Sequence, residues 1–100
     1  MADISMQGTL GAGSTLIYTC PSNVNARINF IFNNPAAYTI TLSRYDNTLA
    51  ITTDVYTFAL SAGDTVRDSN NYYLNKNDSF TVTSSIGGTN YLIYLIEYPG

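Results

Sequence analysis

The most constraining feature of this 100-residue sequence is its period of two. Apolar and polar residues alternate in run after run, and no window carries the i, i+3, i+4 spacing of an amphipathic helix. In Tyr38-Thr39-Ile40-Thr41-Leu42-Ser43-Arg44 the residues Tyr38, Ile40 and Leu42 share one face, with Thr39, Thr41 and Ser43 on the other. Ala26, Ile28, Phe30 and Phe32 repeat the scheme, as do Phe80 and Val82. β-Branched and aromatic residues fill these runs, as a pleated, half-buried surface prefers.

Turn signals punctuate the chain about every ten residues. They are Gly11-Ala12-Gly13, Pro21-Ser22-Asn23, Asn33-Asn34-Pro35, Asp46-Asn47, Ala62-Gly63-Asp64, Asn75-Lys76-Asn77 and Gly87-Gly88. Gly and Asn accept positive φ and Pro fixes φ, so each cluster marks a change of direction. The pattern predicts one domain over residues 1–100, an all-β antiparallel sandwich of about seven to eight short strands, jelly-roll or immunoglobulin-like. Strands are expected over 3–10, 15–19, 25–33, 37–44, 55–60, 71–74, 78–84 and 90–98. A short echo recurs in Leu60-Ser61-Ala62-Gly63-Asp64-Thr65 and Leu74-Asn75-Lys76-Asn77-Asp78-Ser79, and more loosely in Leu10-Gly11-Ala12-Gly13-Ser14-Thr15. It reads as one turn chemistry used repeatedly, with a short polar side chain bonding to the turn backbone.

The last strand departs from the alternation. Tyr91-Leu92-Ile93-Tyr94-Leu95-Ile96-Glu97-Tyr98 is apolar on both faces, so one face fills the core and the other needs cover. Leu92, Tyr94, Ile96 and Tyr98 are expected to form a contact face, with Ile93 and Leu95 as the alternative outward set. A neighbouring strand or loop of the same chain, or a second subunit, could supply the cover.

Composition narrows the functional classes. Charged residues are 11% of the chain, against roughly 25% in soluble domains. The four cations, Arg27, Arg44, Arg67 and Lys76, are scattered and the net charge is −3. Neutralising phosphates takes a positive stripe, so neither a nucleic acid nor an anionic membrane is an expected partner. No run approaches a membrane-spanning length of apolar residues. The opening Met1-Ala2-Asp3 lacks a basic and an apolar leader region, so assembly in a reducing cytoplasm is expected.

The chemistry of catalysis is sparse. There is no histidine, the commonest general base and metal ligand. Cys20 stands beside Pro21 with no base nearby in sequence. Residues 8–15 hold several glycines but lack the lysine of a phosphate loop and precede no helical pattern, so a hairpin turn is expected there. A hydrolase would need two placed acids; Glu97 lies in an apolar strand and the aspartates lie beside turns. Asp64, Asp68 and Asn70 could offer oxygens to calcium but miss the spacing of a calcium loop. Nine tyrosines raise a sugar-stacking platform at Tyr72, Tyr73 and Tyr45, although tyrosine is equally at home in cores and interfaces. No enzyme activity, cofactor or metal is expected.

From Leu16 onward the order of features resembles small virion proteins of tailed bacteriophages. The resembling parts are Leu16-Ile17-Tyr18-Thr19-Cys20-Pro21, the Ile-rich run Ala26–Phe32 closing on Asn33-Asn34, and Tyr38–Leu42. They continue with Leu60–Thr65, Tyr73–Val82 and the closing apolar strand. The resemblance covers about four-fifths of the chain, with Cys20 where such proteins often carry Val and Asn75-Lys76-Asn77 in place of a Gly-containing turn. It implies a β-sandwich without catalytic residues, located in the virion and preferably a capsid decoration or cement protein. A tail, adaptor or baseplate component is the alternative within that class. The implied partners are the major capsid protein or other virion proteins, with self-association. A closed trimer is one arrangement that local threefold positions on a shell would allow. The rival from another class is a carbohydrate-binding module.

Overall fold

The computed structural model describes residues 2–99. Eight strands follow one another: β1 (Ala2–Leu10), β2 (Gly13–Thr19), β3 (Val24–Asn33), β4 (Tyr38–Asp46), β5 (Ile51–Leu60), β6 (Thr65–Leu74), β7 (Ser79–Ser84) and β8 (Thr89–Pro99). No helix occurs among the described residues. Every pairing is antiparallel. The strands form two four-stranded sheets, one in the order β1-β8-β3-β6 and the other β2-β7-β4-β5. The domain measures 40 × 27 × 20 Å, and its short axis is that of two sheets stacked about 10 Å apart with side chains on both outer faces.

The alternating runs supply the space between the sheets. Ile28, Phe30 and Phe32 of β3 and Ile93 and Leu95 of β8 face Ile40 and Leu42 of β4 and Phe80 and Val82 of β7, all at or below 1% exposure. The aromatic rings carry the contact between layers. Phe30 lies 5.1 Å from Phe80 and Phe32 lies 6.0 Å from Phe58, centroid to centroid. Alternation is cleanest in the central strands because both neighbours and the opposing sheet enforce it.

The edge strands are longer than the sequence pattern suggests. β5 begins at Ile51 rather than 55, and β6 at Thr65 rather than 71. Bulges break their alternation. Val55 is an extra residue between Tyr56, opposite Leu42, and Asp54, opposite Ser43. In β6, residues 69–71 stand against the single Asn29 between Tyr72, opposite Ile28, and Asp68, opposite Phe30.

One expectation is corrected. The glycine-rich segment after β1 is not a hairpin, because β1 pairs with β8 and β2 with β7, so the turn carries the chain from one sheet to the other. Only β4 and β5 are both consecutive and paired. A turn's φ preferences reverse the chain equally well within a sheet or between two, which is why residue types alone do not separate the cases.

The three echoed turns share their geometry. The residue three after the leucine has positive φ each time: Gly63 at 79°, Asn77 at 69° and Gly13 at 98°. Asn77 therefore performs the glycine's role, as Asn can at modest cost. Two buried polar residues then tie the turns at opposite ends of the sandwich. Asn34 donates to Thr89 Oγ1 (2.9 Å) and the Gly87 carbonyl (3.2 Å) and accepts from the Ala36 amide (2.9 Å). At the other end, Asp78 accepts from Arg44 Nη2 (2.5 Å) and from the amides of Asn47 (3.0 Å) and Asn75 (3.1 Å).

Candidate functional site

Glu97, Asp68 and the Cys20 thiol are each engaged by the fold. Glu97 faces the interior, where its carboxylate accepts the Tyr18 hydroxyl at 2.5 Å. Burial, reinforced by that hydrogen bond, pushes the Tyr18 hydroxyl well above its ordinary pKa. Asp68 accepts the Tyr72 hydroxyl at 2.5 Å and the Asn70 amide at 3.0 Å, and Tyr72 is likewise pushed up, chiefly by burial. Cys20 is 1% exposed, its thiol donates to the Val24 carbonyl at 3.2 Å, and burial raises its pKa. A thiol held protonated is a poor nucleophile. Among the described residues no group of three or more Cys, Asp or Glu side chains gathers as metal ligands would. The Asp64-Asp68-Asn70 set is divided between an exposed turn and an inward carboxylate already bonded to Tyr72.

The tyrosines proposed for sugar stacking do not converge. Tyr72 points inward, its ring 5.5 Å from Phe80, while its neighbour Tyr73 points outward and is 64% exposed. Tyr45 belongs to the other sheet, paired with Thr52 and Ser79.

The outer face of the β1-β8-β3-β6 sheet is where the apolar residues of β8 collect. Register fixes its rows. Asp3, Ile96, Arg27 and Tyr73 lie side by side across the four strands, and Gln7, Leu92, Ile31 and Arg67 form a second row. Between them Ser5, Tyr94 and Asn29 stand abreast, and Tyr98 extends the stripe beside Asn25. Leu92, Tyr94, Ile96 and Tyr98 thus share this face, while Ile93 and Leu95 are the core set. Tyr94 is 45% exposed, and the other three are half-buried by their in-sheet neighbours. Cover from within the chain is therefore partial.

Ile31 and Tyr73 enlarge the patch; Ile31 did not stand out in the sequence, and Tyr73 stood out for sugar stacking and not as part of this face. Their signal was available: each occupies an outward position of an alternating run with an apolar side chain. Arg27 lies between Ile96 and Tyr73, and its Nε is removed from solvent with no partner among the described residues. Beyond Leu92 the face turns polar. Thr9 donates to Asn90 Oδ1 and Asn33 donates to Thr65 Oγ1, and Asn33 and Asn90 stand opposite each other, giving one amide–hydroxyl row across the sheet.

The outer face of the other sheet has a different character. Ser14, Thr83, Thr41 and Thr57 form a row across its four strands, with hydroxyl contacts at 2.8 Å and 3.2 Å. The exposed apolar residues of this sheet lie at its two edges, Leu16 on β2 and, at the other edge, Leu49 and Ile51 about the β4–β5 turn with Tyr56 on β5. The sandwich is therefore two-sided, apolar and aromatic on one face and hydroxylated on the other.

Solved structures resemble this fold to different degrees. A structure of the Bacillus endospore appendages, a family of disulfide-linked pili, aligns with 98% of this chain and 85% of its own at a TM-score of 0.65 and 16% identity. PirA aligns at 0.47 with 14% identity over 98% of this chain and 96% of its own. The infectious bursal disease virus Gx strain aligns at 0.31, also at 14% identity, over 98% of this chain and 32% of its own. Only the first alignment is close enough to carry weight, and at that identity it speaks to the fold alone. No protein-family model matches the sequence, and no curated protein matches it.

Proposed function

We propose that this chain is a non-enzymatic structural subunit that assembles with other chains through the outer face of its β1-β8-β3-β6 sheet. The observation that carries this reading is the continuous stripe of Leu92, Tyr94, Ile96 and Tyr98, widened by Ile31 and Tyr73, with Asp3, Arg27 and Arg67 as the charges in its rows. Large exposed apolar patches on small domains mark interaction sites, and tyrosine contributes contact area at low entropic cost. The engaged Glu97 and Asp68 and the protonated, buried Cys20 support the non-enzymatic part.

The sandwich is of jelly-roll type in this reading, because β1-β8-β3-β6 over β2-β7-β4-β5 is the strand order of a doubled Greek key. Within the structural class, the resemblance to tailed-phage virion proteins favours a capsid decoration or cement protein on the major capsid protein, and a tail or adaptor component comes next. The fold likeness to an appendage subunit favours a second home, a fibre built of copies of this chain. Such a fibre would be held without disulfides through Cys20, since the sequence has one cysteine and the sandwich buries it.

Quantitative mass spectrometry of gradient-purified particles and filaments from the source lysate separates these homes. Near-stoichiometric copies per shell subunit mean decoration, a few copies per particle mean the tail, and enrichment with filaments means an appendage. Absence from every assembled fraction overturns the proposal. Tyr94→Asp is expected to deplete the chain from its assembly while the isolated domain still folds.

A further inference from the structure

The four sheet edges are not alike. β2, β5 and β6 each carry a bulge: at Ile17, at Val55 and over residues 69–71. A bulge twists an edge out of line with an incoming strand and is one way proteins prevent edge-to-edge pairing. β1 has none. Its nine residues pair with β8 one for one, from Ala2 opposite Glu97 to Leu10 opposite Thr89. It contains no proline and no lysine, and its single charge, Asp3, lies near one end. The devices that blunt the other edges are missing here, and the strand is long enough to template a partner.

We infer that the free edge of β1 pairs antiparallel with β1 of a second copy of this chain, joining two four-stranded sheets into one of eight strands. The strand is complementary to itself. In the register centred on Met6 all nine residues are engaged: Met6 faces Met6, Ser5 faces Gln7, Ile4 faces Gly8, Asp3 faces Thr9 and Ala2 faces Leu10. Opposed residues point to the same side of a sheet. The polar set Asp3, Ser5, Gln7 and Thr9 therefore meets its own kind, and so does the inward set. Asp3 meets a hydroxyl instead of a second carboxylate, which avoids like-charge opposition.

The inward set gives the second copy something to bury. Ile4 and Met6 pack on the core but remain only partly buried in the single chain. Gly8 lies beneath the Tyr91 ring, whose Oη is 2.9 Å from where a Cβ would stand. The Tyr91 ring thus fills the place of a side chain at Gly8 and is the apolar surface that the partner's Ile4 would meet. A two-strand seam is small against the roughly 1,200–2,000 Å² of a stable interface, so dissociation in the micromolar range is expected. A two-fold axis normal to the sheet also puts both Leu92–Tyr98 stripes on the same side. The inference deepens the assembly reading but uses a different surface.

Sedimentation of the full chain across roughly micromolar to submillimolar concentration is expected to show a monomer–dimer equilibrium. Ser5→Lys with Gln7→Lys places four cations at the seam and is expected to abolish the dimer with circular dichroism unchanged. Directly opposed strand positions are within disulfide reach. Oxidised Met6→Cys should therefore cross-link about tenfold faster than Thr9→Cys, whose copies lie at opposite ends of the seam. A monomer at every concentration overturns the inference, and so does equal cross-linking of the two cysteine variants. A dimer lost in Tyr94→Asp but kept in the double lysine variant moves self-contact to the stripe, overturning β1 pairing while sparing the assembly reading. A chain that dimerises through β1 yet enters no assembled fraction fails the other way round.

Discussion

Replacing Asp78 with alanine tests how much of this fold hangs on one buried carboxylate. Asp78 is 1% exposed and joins three segments: Arg44 near the end of β4, Asn47 in the β4–β5 turn and Asn75 in the β6–β7 turn. The substitution orphans two backbone amides and removes the counter-charge of Arg44, whose Nε already lacks a partner. Each orphaned donor costs about 1–3 kcal/mol. Breaking a fully buried ion pair costs about 3–5 kcal/mol, but the Arg44 side chain is 27% exposed and water recovers part of that. A total of about 3–5 kcal/mol is expected, a large share of the ~5–15 kcal/mol that such domains possess.

The molecule contains its own control. Asp64 occupies the same place in the echoed Leu-x-x-x-Asp turn, but it is exposed and its carboxylate holds no hydrogen bond among those described. Asp64→Ala should change stability by no more than about 0.5 kcal/mol. Urea unfolding followed by circular dichroism and tyrosine emission measures both. With a slope of about 1–3 kcal/mol/M, the midpoint of Asp78→Ala should fall by well over 1 M. Midpoints within 0.3 M or so of each other for the two variants would refute the reasoning, because sequence position and not burial would then govern the cost.

Asn34→Ala at the opposite end removes the acceptor of the Ala36 amide and one of the two hydroxyl partners of Thr89 and is expected to cost about 2–4 kcal/mol, read in the same urea assay. Alkaline stability should fall. Burial raises Tyr18, Tyr38 and Tyr72 in the folded state, so their contribution is complete below the unfolded tyrosine value near 10 and is lost as pH climbs beyond it. Tyrosinate absorbance from these residues should therefore appear together with loss of the β-sheet dichroism, and Tyr18→Phe with Tyr72→Phe should flatten the decline. Tyr94→Asp, by contrast, should leave the unfolding free energy within about 1 kcal/mol of the parent, because the ring is on the outer face; a cooperative loss of folding would place it in the core.

Much of this architecture is legible in the residues. Where a strand is central, one face must be apolar and the other is screened by neighbours, so β3, β4, β7 and β8 announce themselves and their inward sets Phe30, Ile40, Val82 and Ile93 follow. The turns are equally legible, because positive φ demands Gly or Asn at the third position after the leucine. The doubly apolar character of β8 also marks it as a strand with a second face to cover, while the choice of Leu92, Tyr94, Ile96 and Tyr98 over Ile93 and Leu95 as the outward set came from the tertiary structure. The bulged edges are not legible in this way. An extra residue shifts the face of everything after it, so the opening halves of β5 and β6 read as loop.

The sequence by itself determined the periodicity, the reversals and which side chains leave water, since these depend on local sterics and on the hydrophobicity of each residue. Only the tertiary structure decided which strands are neighbours, and hence that Ile31 and Tyr73 join the β8 stripe and that β1 is left as the unbulged edge. It likewise decided that two aspartates in one turn motif have opposite fates. Asp78 is enclosed by Arg44 and two turn amides brought from distant segments, whereas Tyr38 and Asn33 reach only the Asp64 carbonyl and its carboxylate gains no hydrogen bond among those described. Pairing order and enclosure are properties of separated segments meeting, and the local pattern of each segment is compatible with several such meetings.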